Sequence, residues 1–344
     1  MKIIFCVSSV SLFNSGGMNR VIADTLPILR SRGIPYLLIC PRSLLTLCKG
    51  LTHLIINNPF SYDFIVFNSL AAVRRKNKYW KVLFYLSKAF SWKKIIYWHE
   101  MPSYFEKYKN LNAFEAGQIL RLFNRKRILH LTVSESNSKL VDEFFYNATK
   151  RLVYNTIDAK RLTGWNRFHY PSIVTIGSVQ EIKGTDIWTK VAVEVCKKNS
   201  QAHFLWCGSV FDNELYQKCL KEISANNLED RVQFIGYVSN PVILIQYSYL
   251  FFLPSRSDSM PLVVLEAMAC GKNVIYYDSG GAREALGDFG ILIDDFDINK
   301  TITTILEYLD NFDEGRDMVN ENLMHRFQQN FTPEIFTERF LNSI

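Results

Sequence analysis

Asp258 and Glu266 are two carboxylates with seven residues between them, in the segment LPSRSDSMPLVVLEAMACGKNVIYYDSGGARE that runs from 253 to 284. Pro261 has no N–H to lose and a φ suited to a first helical turn, and the apolar run from Leu262 to Cys270 stops at Gly271. A short buried helix is therefore predicted just after Asp258. Its first-turn N–H groups, less the one Pro261 removes, and the positive end of its dipole face the preceding loop, where they favour an anion such as a phosphate. Glu266 falls inside the apolar helix, where an unpaired carboxylate is costly, so a specific hydrogen-bond partner is expected. The hydroxyl pair of a ribose would serve, and so would a neighbouring loop that Glu266 caps. Lys183 stands directly before a predicted helix in the loop 177–184, a geometry for phosphate that also fits a solvated loop lysine. Gly16 and Gly17 allow close backbone approach to a ligand in what is otherwise an ordinary tight turn.

The elements that must position these residues alternate. In the first half, strands are predicted over 2–8, 36–40, 64–68, 94–98 and 131–134, with helices over 18–32 and from Ser136. In the second half, strands are predicted over 172–176, 202–207, 232–235, 249–253 and 273–277, and Ser279-Gly280-Gly281 turns into a helix at Ala282. Such alternation predicts an α/β protein with parallel sheets, helices on both faces and ligands beyond the carboxyl ends of the strands. His99 lies at such an end. The pattern lapses over 160–171, which divides the chain into a first domain, 1–165, a second, 166–330, and a last helix over 331–344. The GxGxxG fingerprint and the P-loop Lys-Ser/Thr are both missing, so neither a nicotinamide enzyme nor a nucleoside triphosphatase is favoured. The run ILIDDFD at 291–297 has an Asp-x-Asp spacing, but it precedes a helix late in the pattern and reads as an acidic surface loop. No metal site is expected.

With 344 residues and 48% hydrophobic content the chain can bury two cores. Its seven cysteines occur singly, without a CxxC pair, which fits a reducing cytoplasm better than a disulfide framework. The N-terminal apolar run is too short for a signal peptide, and no apolar run is long enough to span a bilayer. The charge is uneven, +16 over 1–165 and −9 over 166–344. A basic half suggests an anionic partner, either nucleic acid or an anionic membrane surface. Residues 74–94, RRKNKYWKVLFYLSKAFSWKK, interleave Lys and Arg with two Trp, two Tyr and two Phe, with no acid among them. That composition suits an interfacial amphipathic segment; Val82, Leu83, Leu86 and Phe90 also have the spacing of a core-facing helix with a solvated basic face.

The segment 253–284 resembles the signature of the retaining glycosyltransferases of family 4, with Pro254, Ser255, Leu262 to Met268, Gly271, Gly280, Gly281 and Glu284 in register and Asp258 and Glu266 as the two acids. The family more often has Glu at the first place. Val153 to Asp158 resembles its Asn-Gly-Ile-Asp motif, with Thr156 for the usual Gly, and Ser178 stands where the family has a diphosphate-clamping Arg. The resemblance implies the GT-B arrangement, two Rossmann-like domains facing each other across a cleft, with the C-terminal helix crossing back to the first. It implies catalytic roles for His99, Lys183 and Asp258 and donor binding by Gly16, Gly17, Arg20, Gly236, Met260, Leu262 and Glu266. No cofactor is implied beyond the donor, a UDP-sugar or GDP-sugar.

The expected activity is hexosyl transfer with retention to a glycan or lipid-linked saccharide, as in bacterial O-antigen, lipopolysaccharide or capsule assembly. The expected place is the cytoplasm, peripheral on the inner face of the membrane, with no nucleic-acid partner. A nucleotide-sugar epimerase or hydrolase on the same fold, and a non-catalytic binder of nucleotide sugars or nucleic acid, are the alternatives.

Overall fold

The computed structural model describes residues 1–8, 17–68, 78–100, 128–145, 148–162, 168–313 and 319–344, with the backbone alone at 78, 80, 81 and 161. The chain divides into two compact units, Met1–Asp158 with Phe331–Ile344, and Ala159–Asn330.

The first unit is built on a parallel sheet of β1 (Ile3–Cys6), β2 (Tyr36–Ile39), β3 (Phe64–Asn68), β4 (Lys93–Trp98), β5 (Ile128–Thr132) and β6 (Thr149–Leu152), in the order β2-β1-β3-β4-β5-β6. β1 and β3 are buried at every position, as strands covered on both faces must be, whereas β6 at the edge is nowhere buried. β6 has the sequence TKRL, too polar to signal a strand, and β5 begins three residues before the predicted 131–134. The helices are α1 (Gly17–Ser31), α2 (Leu44–Ile56), α3 (Lys78–Ala89) and α4 (Glu135–Phe144). Ser43 and Thr46 form a reciprocal capping box at the start of α2, and Ser134 caps α4 by accepting from the Asn137 N–H. α3 lies in the basic aromatic segment, whose residues 74–77 fall outside the described ones. Its Leu83 and Phe84, with Trp92 beyond it, are buried in the core, while Val82 and Tyr85 are exposed. The core-facing spacing therefore decides how the apolar side of α3 is used.

The second unit carries β7 (Ser172–Ile176), β8 (His203–Cys207), β9 (Val232–Gly236), β10 (Leu250–Leu253), β11 (Asn273–Tyr277) and β12 (Ile291–Ile293) in the order β12-β11-β10-β7-β8-β9, all parallel. Its helices are α5 (Thr185–Lys198), α6 (Asn213–Ala225), α7 (Val242–Tyr247), α8 (Leu262–Ala269), α9 (Gly281–Leu286), α10 (Ile298–Asp310) and α11 (Glu321–Asn330). At the heart of the core Trp188 of α5 meets Trp206 of β8 edge-on, with centroids 5.4 Å apart. The run expected to be an acidic surface loop begins instead as the edge strand β12, because Ile293 is buried and Ile291 packs against the same core. Asp297 at its end caps α10 by accepting from the Lys300 N–H.

The last helix, α12 (Pro333–Ser343), packs on α1 in the first unit. Phe340 lies 6.0 Å from Phe5 and Phe336 lies 6.1 Å from Tyr97, between ring centroids. Thr156, fully buried, donates from Oγ1 to the Phe331 carbonyl at 2.7 Å and ties this segment to the end of the first sheet. Among the described residues no helix is long and apolar enough to cross a membrane. Thr156→Val keeps the shape and removes the donor, so it is expected to cost about 1–3 kcal/mol in urea unfolding, with an unchanged m-value. An unaltered midpoint would show that the bond to Phe331 contributes nothing.

Candidate functional site

In the second unit the chain lays down β7, β8 and β9 in one direction and then returns past β7 to lay down β10, β11 and β12 in the other. The strand order reverses between β7 and β10, and the crevice beyond their carboxyl ends is where open α/β sheets take ligands. Two loops meet there, 177–184 after β7 and 254–261 after β10. The structure brings Lys183 and Asp258 together: Lys183 Nζ donates to Asp258 Oδ2 at 2.5 Å, with side chains 20% and 14% exposed. Ser178, at the place of the second cation, accepts instead from Gln180 Nε2 at 2.7 Å.

Close backbone packing holds the loops in this register. Gly184 has φ +74°, and a Cβ there would stand 2.0 Å from the Pro254 carbonyl oxygen. Gly280 has φ +137° and lies as close to the Asp258 carbonyl, so the loop after β11 is fastened to the same segment. The Asp258 N–H donates to the Ser279 carbonyl at 2.9 Å, and the Gly281 N–H donates to the Asp258 carbonyl at 3.1 Å. Ser279 Oγ, beside this bridge, is buried and has no hydrogen-bond partner among the described residues. Met260 is buried and Leu262 is the first residue of α8. Glu266 sits one turn further along the same helix face and is 1% exposed. Gly236 ends β9 with φ +78°, and its carbonyl accepts from the Gly208 N–H at 2.9 Å.

Sequence reading missed Arg256 and Asp186. Arg256 bonds Asp186 with both terminal nitrogens at 2.7 Å, and its Nη1 also donates to the Glu181 carbonyl at 2.6 Å. Partial burial pushes the Asp186 carboxyl up, but the Arg256 guanidinium outweighs it and holds the group below its ordinary range. These partners are 70 residues apart, and nothing local in either stretch announces the pairing.

In the first unit the order reverses between β1 and β3. Several polar side chains gather at that end of the sheet. His99 Nε2 lies 2.8 Å from Asn68 Oδ1, and Asn68 Nδ2 donates to the Met18 carbonyl at 2.9 Å. The second bond fixes the amide with its oxygen toward His99, so His99 carries its proton on Nε2 and keeps Nδ1 as an acceptor. Burial pushes the imidazole down to about 3, and it is neutral. The His99 N–H donates to Glu100 Oε2 at 3.1 Å, and the Glu100 carbonyl accepts from Asn137 Nδ2. Asn19 of α1 bonds Ser8 at the end of β1, Gly17 opens α1, and Arg20 is half-buried in the first turn of that helix. Gly16 lies outside the described residues. Among the described residues no group of three or more His, Cys, Asp or Glu side chains is placed to hold a metal ion.

Residues 168–325, most of the second unit, match the family described as glycosyl transferases group 1. The fold is that of the GT-B glycosyltransferases. The structure of Anabaena HepE in complex with UDP is similar over 100% of this chain and 99% of its own, with a TM-score of 0.75 and 17% identity. Among named relatives, the alpha-D-kanosaminyltransferase of Streptomyces kanamyceticus is 24% identical over 60% of this chain and 55% of its own length. The O-antigen biosynthesis glycosyltransferase WclY of Escherichia coli is 23% identical over 60% of this chain and 59% of its own. The match thus spans little more than half the length of these relatives.

The neutral state of His99 has a consequence for acid stability. Above the ordinary value of 6.5 the group is uncharged in both folded and unfolded chains; below it the unfolded chain gains a proton that the folded one refuses down to about 3. Stability is therefore lost as pH falls through that window, by about 1.4 kcal/mol per pH unit from this group. Urea unfolding of wild type and His99→Gln between pH 7 and 5 is expected to show the slope in the first and its loss in the second.

Proposed function

We propose that the chain is a retaining glycosyltransferase of the family 4 type, moving a hexose from a UDP-sugar or GDP-sugar to a hydroxyl of a glycan or lipid-linked saccharide in bacterial cell-surface polysaccharide assembly. The observation that carries this reading is the Lys183–Asp258 pair at the switch point of a group 1 domain. Support comes from WclY, named for O-antigen biosynthesis, and from HepE, solved with UDP and with UDP-glucose.

In this reading the donor diphosphate takes Asp258's place on Lys183 and lies before the first turn of α8, whose N–H groups and dipole add to the neutralisation. Glu266 accepts the ribose hydroxyls. Asp258, released, orients the sugar, and His99 is assigned to sugar recognition as a neutral ring. The bond from the anomeric carbon to the phosphate oxygen breaks as the acceptor oxygen bonds on the same face, and the departing diphosphate takes the acceptor proton. The protein contributes positioning and charge stabilisation, with no carboxylate nucleophile and no metal in the step.

The acceptor side is proposed to work at the inner face of the cytoplasmic membrane. Around the C-terminal end of α3 a cavity of about 790 Å³ is lined by Lys88, Lys93 and Lys94 together with Ser87, Ser91 and Trp92, which suits anionic headgroups better than nucleic acid bases. Co-sedimentation is expected with anionic but not neutral vesicles at low salt, and release at high salt. Absence of binding to both at low salt would remove the membrane from the reading.

A screen of nucleotide sugars for turnover tests the activity itself. Lys183→Ala is expected to lower turnover at saturating donor by about 10- to 100-fold, because the cation gains most as charge develops on the leaving group. Wild-type turnover in that variant would take Lys183 out of the step.

A further inference from the structure

The site contains a second cation that faces away from the work. Arg256 stands two residues before Asp258, on the loop after β10, and its side chain is about one-third exposed. Both terminal nitrogens are engaged there: Nη1 and Nη2 grip both oxygens of Asp186, and Nη1 also reaches the Glu181 carbonyl. Its own N–H donates to the Ile182 carbonyl at 2.9 Å. Glu181 and Ile182 are the two residues before Lys183, and Asp186 lies in the first turn of α5, just after it. The turn that presents Lys183 is thus held on both sides by one residue of the loop that presents Asp258.

We propose that Arg256 is a positioning residue, which with Asp186 fixes the Lys183 turn against the Asp258 loop so that both side chains meet the donor in one geometry. The proposal rests on the glycosyltransferase reading. Arg256 does not replace the diphosphate cation missing at Ser178, since its charge is balanced by Asp186 and both terminal nitrogens are committed to that carboxylate, Nη1 also to the Glu181 carbonyl. A planar fork binding two oxygens fixes orientation as well as distance, which a lysine in the same place does not do. The backbone bond from Arg256 to Ile182 and the close approach of Gly184 to Pro254 join the loops even without the side chain. Removal of the side chain therefore loosens the turn without dissolving it.

That distinction sets the test. Arg256→Ala and the milder Asp186→Asn are compared with wild type for turnover, for UDP affinity by calorimetry, and for amide exchange over 181–186 with UDP bound. Turnover at saturating donor is expected to fall about tenfold or more, because misplaced groups lose effective molarity, while UDP affinity changes less than about threefold. Arg256→Lys is expected not to restore turnover. The exchanged pair, Arg256→Asp with Asp186→Arg, is expected to recover part of what Arg256→Asp alone loses, as coupled partners do. Turnover within twofold of wild type in Arg256→Ala overturns the proposal. So does a loss that tracks UDP affinity, which would make Arg256 a binding group, or a strictly additive double variant. If wild type turns over no nucleotide sugar, the transferase reading falls and amide exchange alone decides: unchanged exchange over 181–186 in Arg256→Ala and Asp186→Asn then overturns the positioning role, and faster exchange sustains it.

Discussion

The ion pair between Lys183 and Asp258 joins two loops whose residues are 75 positions apart, and the geometry of the crevice at the switch point follows from it. Both loops leave the carboxyl ends of neighbouring strands that run in the same direction, so both side chains are delivered to one crevice. The pair is neither fully solvated nor deeply buried. A fully exposed pair would be screened and contribute little, and a fully buried one would resist exchange of partners. An intermediate position suits the exchange of anions on Lys183 that the proposed donor binding requires. Arg256, on the second of these loops, and Asp186, in the helical turn that follows the first, form another, geometrically stricter pair. Before any ligand arrives, the four charges balance locally.

The first unit solves a different problem at the corresponding end of its sheet. His99 follows directly on β4, among strands buried on both faces, where a charged imidazole would be expensive. Burial settles the protonation state and Asn68 settles the tautomer, leaving a neutral ring with a defined acceptor nitrogen. Such a ring stays uncharged across physiological pH. The second unit gathers paired charges at its switch point, and this unit a neutral hydrogen bond.

Much of this was legible in the chain because the relevant signals are local. The strands β4, β7 and β10 and the apolar helix α8 with its proline start and glycine stop announce themselves in short runs, and they fix where His99, Lys183, Asp258 and Glu266 fall. What was not legible depends on distant partners. Arg256 looks like a loop arginine until Asp186 is brought beside it. β6 and β12 sit at sheet edges, where one-sided burial relaxes the demand for apolar residues and a short or polar strand resembles a loop. α3 carried two compatible patterns, one interfacial and one core-facing. Only the presence of a sheet face beneath Leu83 and Phe84 decides between them.

The shorter acid at 258 takes on a physical meaning in this frame. The backbone of Asp258 is fixed on both sides, its N–H on Ser279 and its carbonyl on Gly281, while Gly280 packs too closely for any side chain to intervene. The reach of the carboxylate is then set by its side chain alone. With aspartate it ends on Lys183, itself held by a turn that Arg256 grips. A ligand that draws Lys183 away therefore frees a carboxylate whose origin cannot shift, and that carboxylate must find a new donor within a short radius. A sugar hydroxyl attached to the same diphosphate is such a donor. In the proposed reaction, capture of the phosphate and orientation of the sugar are then one event, coupled through a single ion pair.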